Sequence, residues 1–547
     1  MINKSHISVL DCTLRDGLRI IDCEMEDEKI SSIVRKLVNA RIDIIEMGFL
    51  RDHRSWSYSG NSTFFTDVRQ IEKFIPKDRN KSLFVAFVDY GMFDFDSLGK
   101  CNHASIDGIR VGFTKMNYLK HRDDIIRCLN IVKTKGYMLF VQGVNTLGYS
   151  DRELLDVIEM VNEVQPDGFG IVDTYGAMYS QDLHHIFNLV DYNLNKGVTI
   201  DFHSHNNYQL SFALAQEMIN LAATRKVVID STLNGIGKCA GNLNTELLVN
   251  FLNRKKGFDY DEDSILDIID EYLYVLRKEH YWGYSIPALM AGELKSHPNN
   301  IIYLTEKFRM DTKDIRYILS MIDEQTRQRY DYDNIERLYI QYNSSKIDDT
   351  KEMAILGQLI PTDREVLILV PGKTIAEYRD KISEIINRTN PVVISVNFGT
   401  NIFACDFCFF GSPKRYSENT KKIRNVKTII TSNIQNSDGN DIVINYAKVI
   451  ECGWKYFDNS VIMLLNLLKR LAVNKILLAG LDGYNSNKQN YFDDRLEHRR
   501  NVEDYENINR EMAEMLRNYK NKTLNQCDIK FVTPSIYEEI FENKYEY

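Results

Sequence analysis

A chain of 547 residues exceeds one ordinary domain, and its 44% apolar content is that of a globular protein. The formal net charge of -9, with both signs mixed along the chain, excludes a general nucleic-acid or anionic-membrane binder, because those need a basic face. Nine cysteines, an odd number scattered from Cys12 to Cys527, do not make a disulfide framework in a chain this long. The start MINKSHISVL has no apolar signal core, and the longest apolar stretch, Val461 to Val473, is broken by Asn466, Lys469 and Arg470. No membrane span is expected, and the expected location is cytoplasmic.

Strands are predicted at Ile7–Thr13, Ile42–Phe49, Leu83–Val88, Gly108–Phe113, Met138–Val144, Gly168–Thr174, Val198–His205 and Val227–Leu233. Several are near-continuous apolar runs, as strands buried on both faces of a parallel sheet must be. Helical patterns fall between them. Ile30, Ile33, Val34 and Leu37 share one face; Leu154, Leu155, Ile158 and Val161 share another. Helices are also predicted over Leu210–Arg225 and Asn244–Leu252. Eight βα units in about 255 residues have the size of a TIM barrel. The barrel domain is set at residues 1–258.

After Phe258 the pattern turns helical, with an amphipathic helix predicted over Ser264–Lys278 and a tyrosine-rich helical stretch from Pro287 to Tyr339. A helical extension at 259–345, packing on the barrel mouth, is expected, with a linker in NSSKIDDT, Asn343 to Thr350. A second α/β domain is set at 351–547. Its strands are predicted at Val366–Val370, Val392–Asn397, Asp406–Phe410, Thr428–Ile430, Ile442–Tyr446 and Ile476–Leu481, with helices at Ile375–Asn387 and Ser460–Val473. This is the alternation of an open doubly wound sheet.

Chemistry-bearing residues cluster where barrel strands end. Arg15 and Asp16 follow the first strand, and His203 and His205 end the seventh. Residues two apart on a strand point to one side, so both imidazoles face one point. Two imidazoles and a carboxylate suit a divalent ion with open positions. The glycine-rich run NGIGKCAGNLNTE follows the eighth strand, where Asn242 can offer an amide oxygen. Glu46 ends the second strand, where a carboxylate can hold Arg15.

LDCTLRDG, IEMGF, DFHSHNN and GIGKCAGNLNTE together resemble the DRE-TIM metallolyase superfamily, which includes hydroxymethylglutaryl-CoA lyase, isopropylmalate synthase and 4-hydroxy-2-oxovalerate aldolase. The resemblance runs from about Ile7 to Gly257. It implies Asp16, His203 and His205, with Asn242, as ligands to Mn²⁺ or Mg²⁺. It also implies Arg15 facing an enolate oxygen, with Glu46 as its partner. IVDTYGAM and WGYSIPALMAGELKSHPN look most like the aldolase branch. The expected activity is a metal-dependent carbon–carbon lyase, joining or cleaving a pyruvate-like 2-oxo acid and an aldehyde through the enolate.

The chain departs from that family at one position. The hydroxyoxovalerate aldolases place a basic histidine two residues after the glycine of RDG; this chain has Arg19, a poor base but a good anion anchor. Tyr175, His103 or a water on the metal remain as candidate bases. Cys239 does not align with the cysteine loop of the lyases.

In the second half, EVLILVPGKTIAEY ends a strand in a Pro-Gly turn before a helix, where backbone N–H groups of Gly372, Lys373 and Thr374 would meet an anion. Asn397 and Asp482 stand at strand ends, and Asp493-Asp494 lies in a loop. The pattern loosely resembles pterin diphosphokinase-like and sialyltransferase-like proteins. That implies a nucleotide or nucleotide-sugar, and a setting in bacterial surface-polysaccharide synthesis. Cys405 and Cys408 form a CxxC with no second pair nearby, so a buried thiol pair is expected. The alternative activities are a Claisen-type acyl-CoA synthase and a degenerate barrel attached to a transferase. A homo-oligomer is expected by analogy with other barrels.

Overall fold

The computed structural model describes residues 6–541 except 223–224, 307–309, 311, 345–346, 400–401, 420–425, 435–440, 486–488, 494–495, 497–501 and 524–526. Asp494 therefore lies outside the described residues. The described chain divides into two compact units, Met1–Asp331 and Tyr332–Tyr547.

The first unit is a closed parallel barrel. Its strands are β1 (Ile7–Asp11), β2 (Ile44–Leu50), β3 (Leu83–Asp89), β4 (Gly108–Thr114), β5 (Met138–Val144), β6 (Gly168–Asp173), β7 (Thr199–Ser204) and β8 (Val227–Ser231). Each pairs with its chain neighbour, and β1 closes the ring against both β2 and β8, with Leu10 opposite Ile44 and Asp230. A short strand, Phe64–Phe65, adds to the end of β2.

The outer helices are α1 (Asp27–Asn39), α2 (Lys115–Thr134), α3 (Asp151–Val164), α4 (Ser180–Asn193), α5 (Ser211–Leu221) and α6 (Thr245–Phe251). The ring of crossovers is less regular than eight βα units. After β2 and β3 the chain makes 3-10 turns, Val68–Phe74 and Phe95–Ser97, in place of α-helices. Helix α3 starts at a capping box, Ser150 with Glu153. It buries Leu154, Val157, Ile158 and Val161, whereas Leu155 is exposed and does not share that face.

Inside the barrel, side chains stack in levels. Leu10, Ile44, Val85, Phe140 and Val228 form an apolar plug. One step toward the C-terminal ends lie Glu46, Arg110, Gln142, Asp201 and Asp230, all buried. Gly170 makes room there, since a Cβ on it would stand 1.9 Å from Gln142 Oε1. Above them sit Arg15, Asp16, His203 and His205.

The extension runs through α7 (Glu262–Ile268), α8 (Tyr274–Glu279), α9 (Ile286–Glu293), α10 (Pro298–Glu306), α11 (Thr312–Ser320) and α12 (Glu324–Arg327). A π-turn, Ile269–Leu273, interrupts the helix expected at 264–278. Trp282 Nε1 donates to Asn234 O at 2.9 Å, and Gly283 N to Cys239 O at 3.1 Å. These bonds tie the extension to the loop after β8.

The second unit opens with α13 (Tyr332–Ser344) and α14 (Thr350–Leu359). Helix α13 packs inside this unit. Tyr339 meets Tyr446 edge-on, and Ser432 donates to Asn343 O at 2.7 Å. The parallel sheet runs β13 (Ile442–Ile444), β12 (Lys427–Thr431), β11 (Phe407–Phe410), β10 (Val392–Val396), β9 (Val366–Leu369), β14 (Lys475–Ala479), β15 (Asp528–Phe531). The order reverses between β9 and β14, as in doubly wound sheets. The helix expected at 375–387 is split into α15 (Thr374–Glu377) and α16 (Arg379–Thr389). Helices α17 (Pro413–Asn419), α18 (Ser460–Arg470) and α19 (Val502–Lys522) complete the unit. Among the described residues, no helix is long and apolar enough to cross a membrane.

Candidate metal centre and barrel mouth

Asp16, His203 and His205 offer ligand atoms that all lie within 4.8 Å of one another. Strand β7 places both imidazoles on the inner side, and the turn after β1 brings Asp16 to them. His205 Nε2 lies 3.0 Å and His203 Nε2 3.8 Å from Asp16 Oδ2. His203 Nδ1 sits 3.0 Å from Asp230 Oδ2, and His205 Nδ1 3.1 Å from the Asp173 carbonyl oxygen. Both partners can only accept, so each Nδ1 carries a proton and each Nε2 faces the cluster. A neutral His205 would then set its Nε2 lone pair against a carboxylate oxygen. A proton or a cation must stand between them.

Asn242 supports the cation. Its Nδ2 donates to Ile236 O at 3.0 Å, while its Oδ1 is buried with no hydrogen-bond partner among the described residues. A bridge to His205 brings Asn242 beside the cluster. The approach requires Gly241, at φ +76°, because a Cβ there would meet Gly235 O at 1.9 Å. Two imidazoles, a carboxylate and an amide oxygen thus fit a divalent ion.

Arg15 is fixed by three neighbours. Its Nε donates to Glu46 Oε2 at 2.6 Å, its Nη1 to Asp16 Oδ1 at 2.7 Å, and its guanidinium lies 4.7 Å from the Phe87 ring. Glu46 Oε1 accepts from Arg110 Nη1 at 3.1 Å, and Arg110 Nη2 donates to Asp230 Oδ2 at 2.5 Å. A chain of buried charges therefore runs from Arg15 through Glu46, Arg110 and Asp230 to His203. Arg110 and Asp230 were not singled out from sequence; the visible signal was a charge inside each of the apolar runs GIRVGF and VVIDS.

The electrostatics follow from this chain. Burial would raise Asp16, but Arg15 and His205 outweigh it and hold the carboxyl well below the usual range. Burial lowers His203 despite Asp230. Burial would also lower His205, yet Asp16 pulls it up. Asp201 has a weaker share of Arg110, at 3.9 Å, and burial pushes it up to about 7.

A cavity of about 90 Å³ over the cluster is lined by Arg15, Asp16, Phe87, Gln142, His203 and His205. A larger one, about 660 Å³, opens outward past Arg19, Tyr175, Lys238 and His297. Tyr175 is buried there, and burial raises its phenol, so it keeps its proton and serves as a donor at neutral pH. His103 is not at this site. It precedes β4 at the opposite end of the barrel, exposed, 3.1 Å from Asp107. The Cys239 thiol is pushed up to about 12 by burial, so it is not a thiolate near neutral pH.

In the second unit, a cavity of about 130 Å³ lies at the strand ends beside Gly372, Asn397, Arg415, Ser460 and Asp482. Lys373 and Thr374 do not line it. Asp482 instead accepts from the N–H of Thr374 at 2.9 Å and from its hydroxyl. A carboxylate of the chain itself thus occupies the turn read as an anion site. Asn397 is also engaged, donating to Ser460 Oγ at 2.8 Å. Cys408 contacts Ser395 Oγ at 3.0 Å, and burial raises both thiols of the CxxC.

Residues 6–270, which span the closed barrel and this mouth, match the HMGL-like family model. Over the barrel unit the chain is thus similar to the HMGL-like family. A 4-hydroxy-2-oxovalerate aldolase from Pelotomaculum thermopropionicum is 24% identical over 58% of this chain and 91% of its own. A 2-isopropylmalate synthase from Sulfurisphaera tokodaii is 24% identical over 47% of this chain and 65% of its own. Among solved structures, the N-terminal domain of a putative aldolase from Bacteroides vulgatus has a TM-score of 0.48 at 22% identity, covering 55% of this chain and 98% of that one.

Proposed function

We propose that the barrel is a divalent-metal-dependent aldolase that makes or cleaves a C–C bond through the enolate of a pyruvate-like 2-oxo acid. The contact between His205 Nε2 and Asp16 Oδ2, with the orphaned Asn242 oxygen beside it, carries the reading. Asp16, His203, His205 and Asn242 would hold Mn²⁺ or Mg²⁺. Bound there, the ion supplies Lewis acidity for the carboxylate and keto oxygens of the substrate.

The chain's own groups do the rest. Arg15, locked by Glu46, presents fixed positive charge to the small cavity where the enolate oxygen develops. Glu46 acts through Arg15 and is a positioning residue. Phe87 and Phe49 wall the cavity and limit water. Tyr175 keeps its proton and can hydrogen-bond an oxygen of the partner. Arg19 binds rather than abstracts, because a guanidinium is a donor and a poor base.

The test is proton exchange. Metal-loaded protein with pyruvate in D₂O should lose the methyl proton signal in NMR, and neither chelated protein nor Asp16→Asn should support the loss. Absence of exchange from protein with bound metal would overturn the pyruvate reading. The 2-isopropylmalate synthase relative favours a second reading, a Claisen-type condensation of an acyl-CoA with a 2-oxo acid. Release of free thiol from acetyl-CoA on mixing would select it.

For the second unit we propose that the cavity at the sheet's reversal point, lined by Gly372, Asn397, Arg415 and Asp482, takes a nucleotide or nucleotide-sugar.

A further inference from the structure

We infer that the partner of the 2-oxo acid is itself an anion: Arg19 and Lys238 form a subsite at the barrel mouth for a carboxylate or phosphate carried by an aldehyde. This deepens the aldolase reading and rests on it for the reaction, though not for the binding.

The outer cavity, about 660 Å³, has far more room than the pyruvate-sized space over the cluster. Its charges are unbalanced. Both acids on its wall are engaged, Asp89 by Arg51 at 3.1 Å and Glu324 by Lys295 at 3.5 Å. Lys115 is likewise held by Glu153 at 2.7 Å. Arg19 and Lys238 are different. Among the described residues Arg19 approaches only Asp16 Oδ1, at 3.5 Å, an oxygen that already receives Arg15 at 2.7 Å. Lys238 is half-buried and has no ion pair or side-chain hydrogen bond among the described residues. Burial, with the Arg19 charge, lowers its ammonium. A half-buried cation without a counterion is unfavourable, and an anion in the cavity would relieve both residues together.

His297 completes the pocket. Burial, then Arg19 and Lys238, push it down to about 4, so it is neutral at working pH. Its Nδ1 accepts from the Asn299 N–H at 3.2 Å, which leaves the proton on Nε2 as a donor. Two cations and a neutral donor are a set for a carboxylate or phosphate.

The step balances without a redox partner. The enolate carbon of the 2-oxo acid bonds to the aldehyde carbon. The carbonyl π pair becomes an alkoxide and takes one proton. The product is a 4-hydroxy-2-oxo acid with a second negative group, and cleavage is the reverse.

Binding is tested first, by calorimetry on the metal-loaded 547-residue chain with unreactive mimics: glycerol 3-phosphate and succinate against glycerol and 1,4-butanediol. One or both anions should bind at least tenfold more tightly than their neutral counterparts, and added salt should weaken them. Lys238→Met should cost about tenfold and Lys238→Arg should restore most of it. Phosphate binding alone would assign a phosphorylated aldehyde; succinate binding alone would assign a carboxylated one. Equal binding of anions and neutral mimics, or binding untouched by Lys238→Met, overturns the subsite.

Turnover follows, with pyruvate and glyceraldehyde 3-phosphate, succinic semialdehyde, glyceraldehyde or propanal. An anionic aldehyde should be favoured at least tenfold in kcat/KM, with Lys238→Met raising KM for it more than lowering kcat. Pyruvate exchange in D₂O reports separately on the enolate chemistry. Exchange without anion preference sinks the subsite alone, whereas anion binding without exchange sinks the aldolase reading and leaves the subsite standing.

Discussion

The insides of the two sheets are built on opposite plans. The second unit's central strands read VLIL, VVISV and FCFF, all buried, and Ser395 is the lone hydroxyl among them. The barrel sets Glu46, Arg110, Gln142, Asp201 and Asp230 in the middle of comparable strands. An apolar strand interior is the stable solution, and buried ion pairs of similar volume are often no better than neutral for stability. The barrel's charged level is therefore explained by what stands on it. It fixes Arg15 through Glu46 and the His203 tautomer through Asp230.

The comparison breaks most sharply at Arg15. Arg15→Gln keeps a polar side chain but removes the charge and the fork between Glu46 and Asp16. Pyruvate exchange should fall about 10²- to 10³-fold, the usual cost of one lost electrostatic stabiliser, with little change in metal affinity. A fall below tenfold would place the enolate oxygen elsewhere.

Arg110→Met comes next. It leaves Glu46 and Asp230 buried without their shared cation, which should cost about 3–5 kcal/mol in urea unfolding. Replacing Glu46, Arg110 and Asp230 together by apolar residues should recover much of that stability while abolishing exchange. A single substitution costing under about 1 kcal/mol would mean the charged level is not electrostatically coupled.

The smallest effect is at Asp201. Its carboxyl is raised from 3.8 to about 7, mainly by burial. The folded protein thus prefers the protonated form, an advantage full below pH 3.8 and lost as pH rises through 7. Asp201→Asn mimics that form. Its Tm should match the parent near pH 4 and exceed it clearly at pH 8. Equal Tm values at both pH values would show that Arg110 keeps Asp201 ionised.

The same contrast governs what was legible in the sequence. Apolar-rich runs bounded by turns mark the barrel strands, because burial on both faces favours that composition even where a charge interrupts it. Asp16, His203 and His205 were legible because they stand beside strand ends at short spacings. Arg110 and Asp230 were not, since they lie 120 residues apart and meet only when the barrel closes. His103 was misplaced even though its position just before the strand at Gly108 already sets it at the N-terminal end of a parallel barrel. The 3-10 crossovers after β2 and β3 were missed because their periodic apolar residues, such as Val68, Ile71 and Phe74, fit a short helix of either kind. The capping of Thr374 by Asp482 joins positions 108 apart, beyond any local signal.

The two bonds from the extension, Trp282 to Asn234 and Gly283 to Cys239, have a consequence for the loop they grip. That loop carries Lys238 and leads directly to Asn242. Clamped at Asn234 and at Cys239, it loses its conformational freedom when the chain folds. The entropy that ordering such a loop around a charged partner would otherwise cost is thereby removed from the encounter itself.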